Sequence, residues 1–242
     1  MSNYKPKSVL SMNADSKTVK GVKQGYLTAI QYFAPASQAG GANLCPNASN
    51  AGCESACLYT AGRGAFNSTQ TARINKTKRF LNEFDNYMLD LVHSIKILER
   101  KAKRDNLIPV VRLNGTSDID WSKQLLTNGN NLFEEFPHIT FYDYTKVPKT
   151  VANYPNYSLT FSFSAIDSYS KTVKNAKKRG MNMAVVFKGE LPQTYLDLPV
   201  IDGDDNDLRF LDPTDQQYII GLKAKGKAKK DNSGFVIDVT NI

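Results

Sequence analysis

The sequence predicts an α/β fold, an incomplete (β/α) barrel, and three observations carry that expectation. Short runs rich in Val, Ile, Phe and Tyr recur at 108–113, 139–144, 157–163 and 182–187. Helix-compatible stretches stand between them, an alternation that implies parallel βαβ crossovers. A loop dense in Gly, Ala, Ser and Asn follows an early strand and precedes a long amphipathic helix; in a parallel sheet such a loop lies at the carboxyl end, where binding sites gather.

Taken in order, residues 1–35 read as a strand-rich N-terminal segment, with strand candidates at Ser8-Val9-Leu10 and from Gly25 to Phe33, the second ended by Pro35. Residues 36–64 form a cysteine-bearing loop, and a patternless stretch of that length usually exists for a functional reason. A long helix starts near Asn67, because Phe80, Phe84, Tyr87, Met88, Leu91, Ile95 and Leu98 recur at three- and four-residue spacings. Its Lys96, Arg100, Lys101, Lys103 and Arg104 offset the macrodipole at the C-terminus. From 65 to 190 the chain reads as β/α units, the crossovers being 121–136, a short piece at 151–154, and 167–179, helical by length and Lys content. Residues 191–242 return to strand character at 218–222 and 235–239, and no repeat or low-complexity linker divides the 242 residues, so one domain is expected.

Hydrophobic residues at 41% and charged residues at 22% exclude wholesale disorder. No apolar run approaches the roughly 20 residues of a membrane helix. No apolar stretch follows Met1-Ser2-Asn3-Tyr4-Lys5-Pro6 as a secretory signal would require, so the expected location is cytoplasmic, with no membrane partner. The net charge of +8 permits contact with nucleic acid or other anions.

All three cysteines fall in the loop, as Cys45-x7-Cys53-x3-Cys57. An odd number so clustered argues against a disulfide framework. Packed thiols are one reading. Structural zinc is a second, and it would draw a fourth ligand from His93, His138 or a carboxylate. A [4Fe–4S] cluster is the third and the favoured one: three thiolates suffice, one iron stays open to a ligand, and small loop residues let the backbone approach.

Other candidates cluster after the strands. Arg63 closes the loop and can donate to cluster sulfides or an anion, or simply sit in a solvated turn. Asn114, Thr116 and Asp118 follow a strand, with Gly115 allowing close approach; they can bind a ligand or form an Asx turn capping a helix at Trp121. Tyr142, Tyr144 and Lys146, then Ser162 and Ser164, end the next two strands and suit a polar pocket, though an exposed edge would look the same. Arg112 in an apolar strand needs a partner, for which Glu54 and Asp118 are available. The acidic run 202–207 fails the calcium-loop template, having Asp207 at position six and Pro213 at position twelve, and reads as a turn or a partner for Arg209. Lys223, Lys225, Lys227, Lys229 and Lys230 can meet phosphate backbones, but no aromatic residues interleave them. No Ser-His-Asp set, P-loop or G-x-G-x-x-G is present.

The order strand, three-Cys loop, helix and β/α units resembles radical S-adenosylmethionine enzymes, although the usual cysteine spacing there is three then two residues. A closer resemblance covers most of the chain. It rests on Cys53-Glu54-Ser55-Ala56-Cys57-Leu58-Tyr59-Thr60-Ala61-Gly62-Arg63, on Val111-Arg112-Leu113-Asn114-Gly115-Thr116-Ser117-Asp118 and on Pro137-His138-Ile139-Thr140-Phe141-Tyr142-Asp143-Tyr144-Thr145-Lys146. Residues 200–212 and Gly221-Leu222-Lys223-Ala224-Lys225-Gly226 extend it. In these the chain is similar to the phage gene product 88 family, which implies a phage-infected host cell more than an activity. The expectation is an iron–sulfur protein whose open iron binds a small molecule, S-adenosylmethionine among the candidates, for redox or radical chemistry, with a small-molecule ligand or electron donor as partner. The alternative is a non-catalytic nucleic-acid-binding protein with structural zinc.

Overall fold

Five apolar runs pair side by side in chain order in the computed structural model, which describes residues 4–12, 16–57, 59, 61–148 and 154–241. They are β2 (Tyr26–Ile30), β3 (Ile108–Arg112), β4 (Thr140–Thr145), β5 (Tyr157–Ser162) and β6 (Met183–Lys188), every pair parallel. Their order never reverses, so this part of the sheet lacks the switch point of a doubly wound fold. Beyond β6 the sheet continues in parallel through β9 (Ile219–Lys223) to β8 (Leu198–Asp202). Antiparallel edges are supplied by β1 (Ser11–Met12) beside β2 and β7 (Thr194–Tyr195) beside β8. The last strand, β10 (Val236–Asp238), pairs with Val186–Lys188 of β6, whereas β5 pairs with Met183 and Ala184; the two therefore share one edge of β6. The protein is mixed α/β with a ten-stranded sheet, and no pairing among the described residues joins β1 to β7.

Alternation along the strands sends side chains to two faces. One face, with Leu27, Ala29, Val111 and Phe141, packs on the apolar stripe of α3 (Phe84–Arg104), where Tyr87, Met88, Leu91, Ile95 and Leu98 are fully buried. Burial of each such aliphatic side chain contributes about 1.5–3 kcal/mol. The opposite face carries Tyr26, Val110 and Tyr142, covered by Leu208 and Phe210. Nearer the carboxyl ends it turns polar, with Arg112, Tyr144 and Ser162. No helix among the described residues is long and apolar enough to cross a membrane.

Several expected elements differ. Ser8-Val9-Leu10 is not a strand, because Val9 spends its backbone on side chains: its N–H donates to Ser94 Oγ (2.9 Å) and its carbonyl accepts from Lys76 Nζ (2.6 Å). The long helix is two, α2 (Asn67–Asn82) and α3, broken at Glu83, whose φ of −133° and ψ of 46° are not helical. The 121–136 crossover holds only a 3-10 turn at Trp121–Lys123 and the one-turn α4 (Leu132–Glu135). The cause is Asn-rich turn chemistry: Asn131 caps α4 through a capping box after the Asn128-Gly129-Asn130 turn. Of the piece at 151–154, residues 151–153 lie outside the described residues, and Tyr154 packs on Phe133. The crossover after β5 is helical as expected, in α5 (Ser170–Lys178). The short α1 (Ser16–Val22), β7 and β8 have no counterpart in the sequence reading.

Candidate functional site

A cavity of about 1050 Å³ opens at the carboxyl ends of the parallel strands, walled by the cysteine loop, α2 and the loops after β3, β4 and β9. The cysteine loop is a run of turns, with Ala48 N–H bonded to Cys45 O (2.9 Å) and Cys53 N–H to Ala48 O (3.1 Å). Its small residues are there for close approach. Gly52 has φ +65°, and a Cβ there would strike Ile166 and stand 2.8 Å from Ser233 Oγ. Ala51 is buried against the β5–β6 core, and Ala56 packs with Ala224, Ala228 and Val236.

Cys45, Cys53 and Cys57 all line the cavity, half-buried, with no disulfide among them. The Cys45 thiol donates weakly to Thr116 O (3.5 Å) and the Cys53 thiol to Ala48 O (3.7 Å). Burial raises all three thiol pKa values, Cys45 to about 12, and each would-be thiolate is further opposed by a neighbouring sulfur or carboxylate. Lys146 favours the Cys53 thiolate and Arg73 the Cys57 thiolate. With their pKa values raised, the three stand as neutral thiols, and any metal centre would have to take their protons' place. Among the described residues no three Cys, His, Asp or Glu side chains are gathered tightly enough to hold a metal ion. Neither histidine reaches the cavity: His93 is on α3, and His138 bonds Glu99 at 2.5 Å.

The loop after β3 is braced rather than open. Asn114 Oδ1 accepts from Ser117 Oγ (2.9 Å), Ile119 N (2.9 Å) and Trp121 Nε1 (3.1 Å), so it braces the turn but does not cap a helix at Trp121, where the 3-10 turn has no side-chain cap. The Asn114 N–H donates to Asp143 Oδ1 (2.6 Å), and Thr116 Oγ1 donates to Phe33 O (2.6 Å). Asp118 accepts from Thr145 Oγ1 and Lys146 N, both at 2.8 Å. Lys146 Nζ donates to Ser162 O (3.0 Å) and Phe163 O (3.2 Å) and lies 4.5 Å from the Phe235 ring centroid; burial lowers its pKa to about 8.

The partner of Arg112 is neither Glu54 nor Asp118 but Asp207, at 2.8 Å, with the guanidinium 4.7 Å over the Tyr144 ring. Glu54 instead accepts from Ser49 Oγ. The acidic run is thus a counter-charge strip: Asp207 serves Arg112 and Asp204 serves Lys225 (2.7 Å). Arg209 pairs just outside the run, with Asp212 (3.5 Å), and Lys223 pairs with Glu190 (3.2 Å). Of the expected site residues, Arg63, Arg112, Asn114, Thr116, Asp118, Tyr144, Lys146 and Ser162 share the cavity with the cysteines. Tyr142 does not; it is buried beside Val110 and Leu208, below the polar end. Ser164, fully buried, is also off the wall, with its Oγ near Ile166 N (3.4 Å).

A family model described as gene product 88 matches residues 8–239, the cysteine loop and every cavity wall included. The chain belongs to the gene product 88 family. No curated protein and no solved structure matches it. Within this gene product 88 chain, sequence reading misses Arg73, Lys76 and Asp207 as cavity residues. The signal for the first two is the 69, 72, 73, 76 spacing on α2, a second helix face that the apolar stripe conceals.

Proposed function

We propose that this gene product 88 protein is a phage-encoded, cytoplasmic iron–sulfur protein in which Cys45, Cys53 and Cys57 hold a [4Fe–4S] cluster facing the cavity. The observation that carries the reading is that all three cysteines of the chain reach one large cavity among polar and charged side chains. When bound, such a cluster supplies electron transfer and an open iron for a ligand. The protein's own part is to place that ligand. Ser162 offers a hydroxyl and Arg63 a guanidinium, Tyr144 lines the wall with its hydroxyl donated to Asp207 (3.4 Å), and Asp118 fixes the strand end from which Lys146 reaches across the wall. S-adenosylmethionine is one candidate ligand and an electron donor one candidate partner. We also infer that the sheet is an incomplete (β/α) barrel, a reading supported by strand order that follows chain order from β2 to β6. In the zinc and nucleic-acid alternative the fourth ligand would have to be a carboxylate, Glu54 or Asp118, because both histidines are remote from the cavity, and Lys223 and Lys225 are already paired.

The test is iron, sulfide and zinc analysis of anaerobically purified protein. Brown protein absorbing broadly near ~400 nm, with iron and sulfide lost in Cys45→Ser, Cys53→Ser and Cys57→Ser and kept in His93→Gln and His138→Gln, is the expected result. Colourless protein with stoichiometric zinc overturns it.

A further inference from the structure

Helix α2 turns a polar stripe, not its apolar one, toward the cavity. Thr69, Ala72, Arg73 and Lys76 stand at i, i+3, i+4 and i+7 and all line the wall. Arg73 lies over the Tyr32 ring, 4.6 Å from its centroid, and 5.7 Å from that of Tyr59. Its Nη1 is sealed from solvent with no hydrogen-bond acceptor. Lys76 Nζ donates to Val9 O at 2.6 Å, and burial, then the charge of Arg73, lowers its pKa to about 8. Among the described residues neither cation has a carboxylate ion-pair partner, whereas Arg112 and Lys225 in the same cavity do. Two neighbouring, partly desolvated cations left unbalanced are costly unless an anion joins them.

We propose that Arg73 and Lys76 bind the phosphate group of a small-molecule ligand in this cavity. A guanidinium is a planar donor and an ammonium a point charge, a pairing suited to phosphate oxygens, here through the guanidinium edge other than the sealed Nη1. A phosphate monoester brings roughly −1.5 to −2 of charge, enough to balance both cations, where a carboxylate balances one. The cavity, at about 1050 Å³, has room for a nucleotide-sized molecule. The subsite adjoins Cys57, whose sulfur feels the charge of Arg73, so the inference names a ligand class for the cavity on which the iron–sulfur reading rests. The two fail separately, because anion binding is measured without reference to iron.

Isothermal titration with inorganic pyrophosphate and with adenosine diphosphate, on anaerobically purified protein and on Cys53→Ser, tests it. Both probes are expected to bind both proteins. Tighter binding of the diphosphate ester than of pyrophosphate assigns a phosphate ester, and equal binding assigns the free anion. Arg73→Gln and Lys76→Gln each weaken binding by roughly tenfold or more. Arg73→Lys, which keeps the charge, recovers part of the loss, and Lys227→Gln with Lys229→Gln on the exposed basic turn changes nothing. The proposal is overturned if neither probe binds, if Arg73→Gln or Lys76→Gln binds like the wild type, if Cys53→Ser loses pyrophosphate along with iron, or if the Lys227 and Lys229 changes weaken binding as much.

Discussion

The Lys146 backbone N–H donates to Asp118 Oδ2 at 2.8 Å, so one carboxylate joins the loop after β3 to the end of β4. Thr145 Oγ1 donates to the other oxygen of the same group, also at 2.8 Å. Both bonds are partly buried, and Asp118 and Lys146 both face the cysteines. Asp118→Ala is expected to lower stability by about 2–3 kcal/mol, since two strand-end donors lose their acceptor. Asp118→Asn, which keeps one acceptor, should lose less. Thermal unfolding of the two variants side by side is the measurement, and equal losses would mean that the carboxylate is not the brace.

Gly115 sits where loop and strand nearly touch. A Cβ there would stand 2.6 Å from Gln31 O, 2.7 Å from Ile30 Cγ2 and 2.8 Å from Tyr32 Cδ1. Two of those atoms belong to the chain entering the cysteine loop, so the strain cannot be relieved locally. Gly115→Ala should therefore cost about 1–3 kcal/mol through overpacking, read as a lower urea midpoint with an unchanged m-value.

The Arg112–Asp207 pair gives a third prediction, from its burial: 14% and 7% of the side-chain surface is exposed. Arg112 keeps its proton more firmly than a free arginine: burial is the largest single influence and opposes the charge, but Asp207 together with Tyr144, Tyr142 and Tyr32 outweighs it. Arg112→Met alone should destabilise by about 3–5 kcal/mol by leaving a buried carboxylate unpaired. Adding Asp207→Leu should restore much of that loss. A double-mutant cycle in urea tests the coupling, and simple additivity would refute it.

Asp143 carries a pH signature. Burial raises its carboxyl pKa to about 7, against the pull of Arg112 and of hydrogen bonds from Asn114 and Tyr157. The folded state therefore binds a proton that the unfolded chain releases near pH 4. The associated stability is fully present below about pH 4 and is lost as pH rises through about 7, by an amount on the order of a few kcal/mol. Asp143→Asn should flatten the melting temperature between about pH 4 and 7 relative to the wild type. A parallel pH dependence in both proteins would exclude Asp143 as its source.

Strands β2 to β6 were legible because their side chains are apolar on one or both faces, and the cysteine loop because its composition breaks so sharply from its flanks. The crossover at 121–136 was not, since Trp121, Leu132 and Phe133 are buried apolar residues that mimic a helical stripe while Asn128, Asn130 and Asn131 build turns. Arg112 announced that it needed a counter-charge but not which one. Asp207 lies 95 residues away, and only the fold brings it across the sheet. Arg73 and Lys76 were hidden for another reason: α2 has two working faces, and periodicity reports the apolar one first.

The clasp on the cysteine loop has a consequence for biogenesis. Gly52 rests against Ser233, Ala56 against Ala228 and Val236, and Gly226 leaves no room beside Ala61. A segment near the front of the chain is thus held by one made almost two hundred residues later. During translation the turns at Gly52, Ala56 and Ala61 therefore complete their packing only after residues 226–236 have emerged.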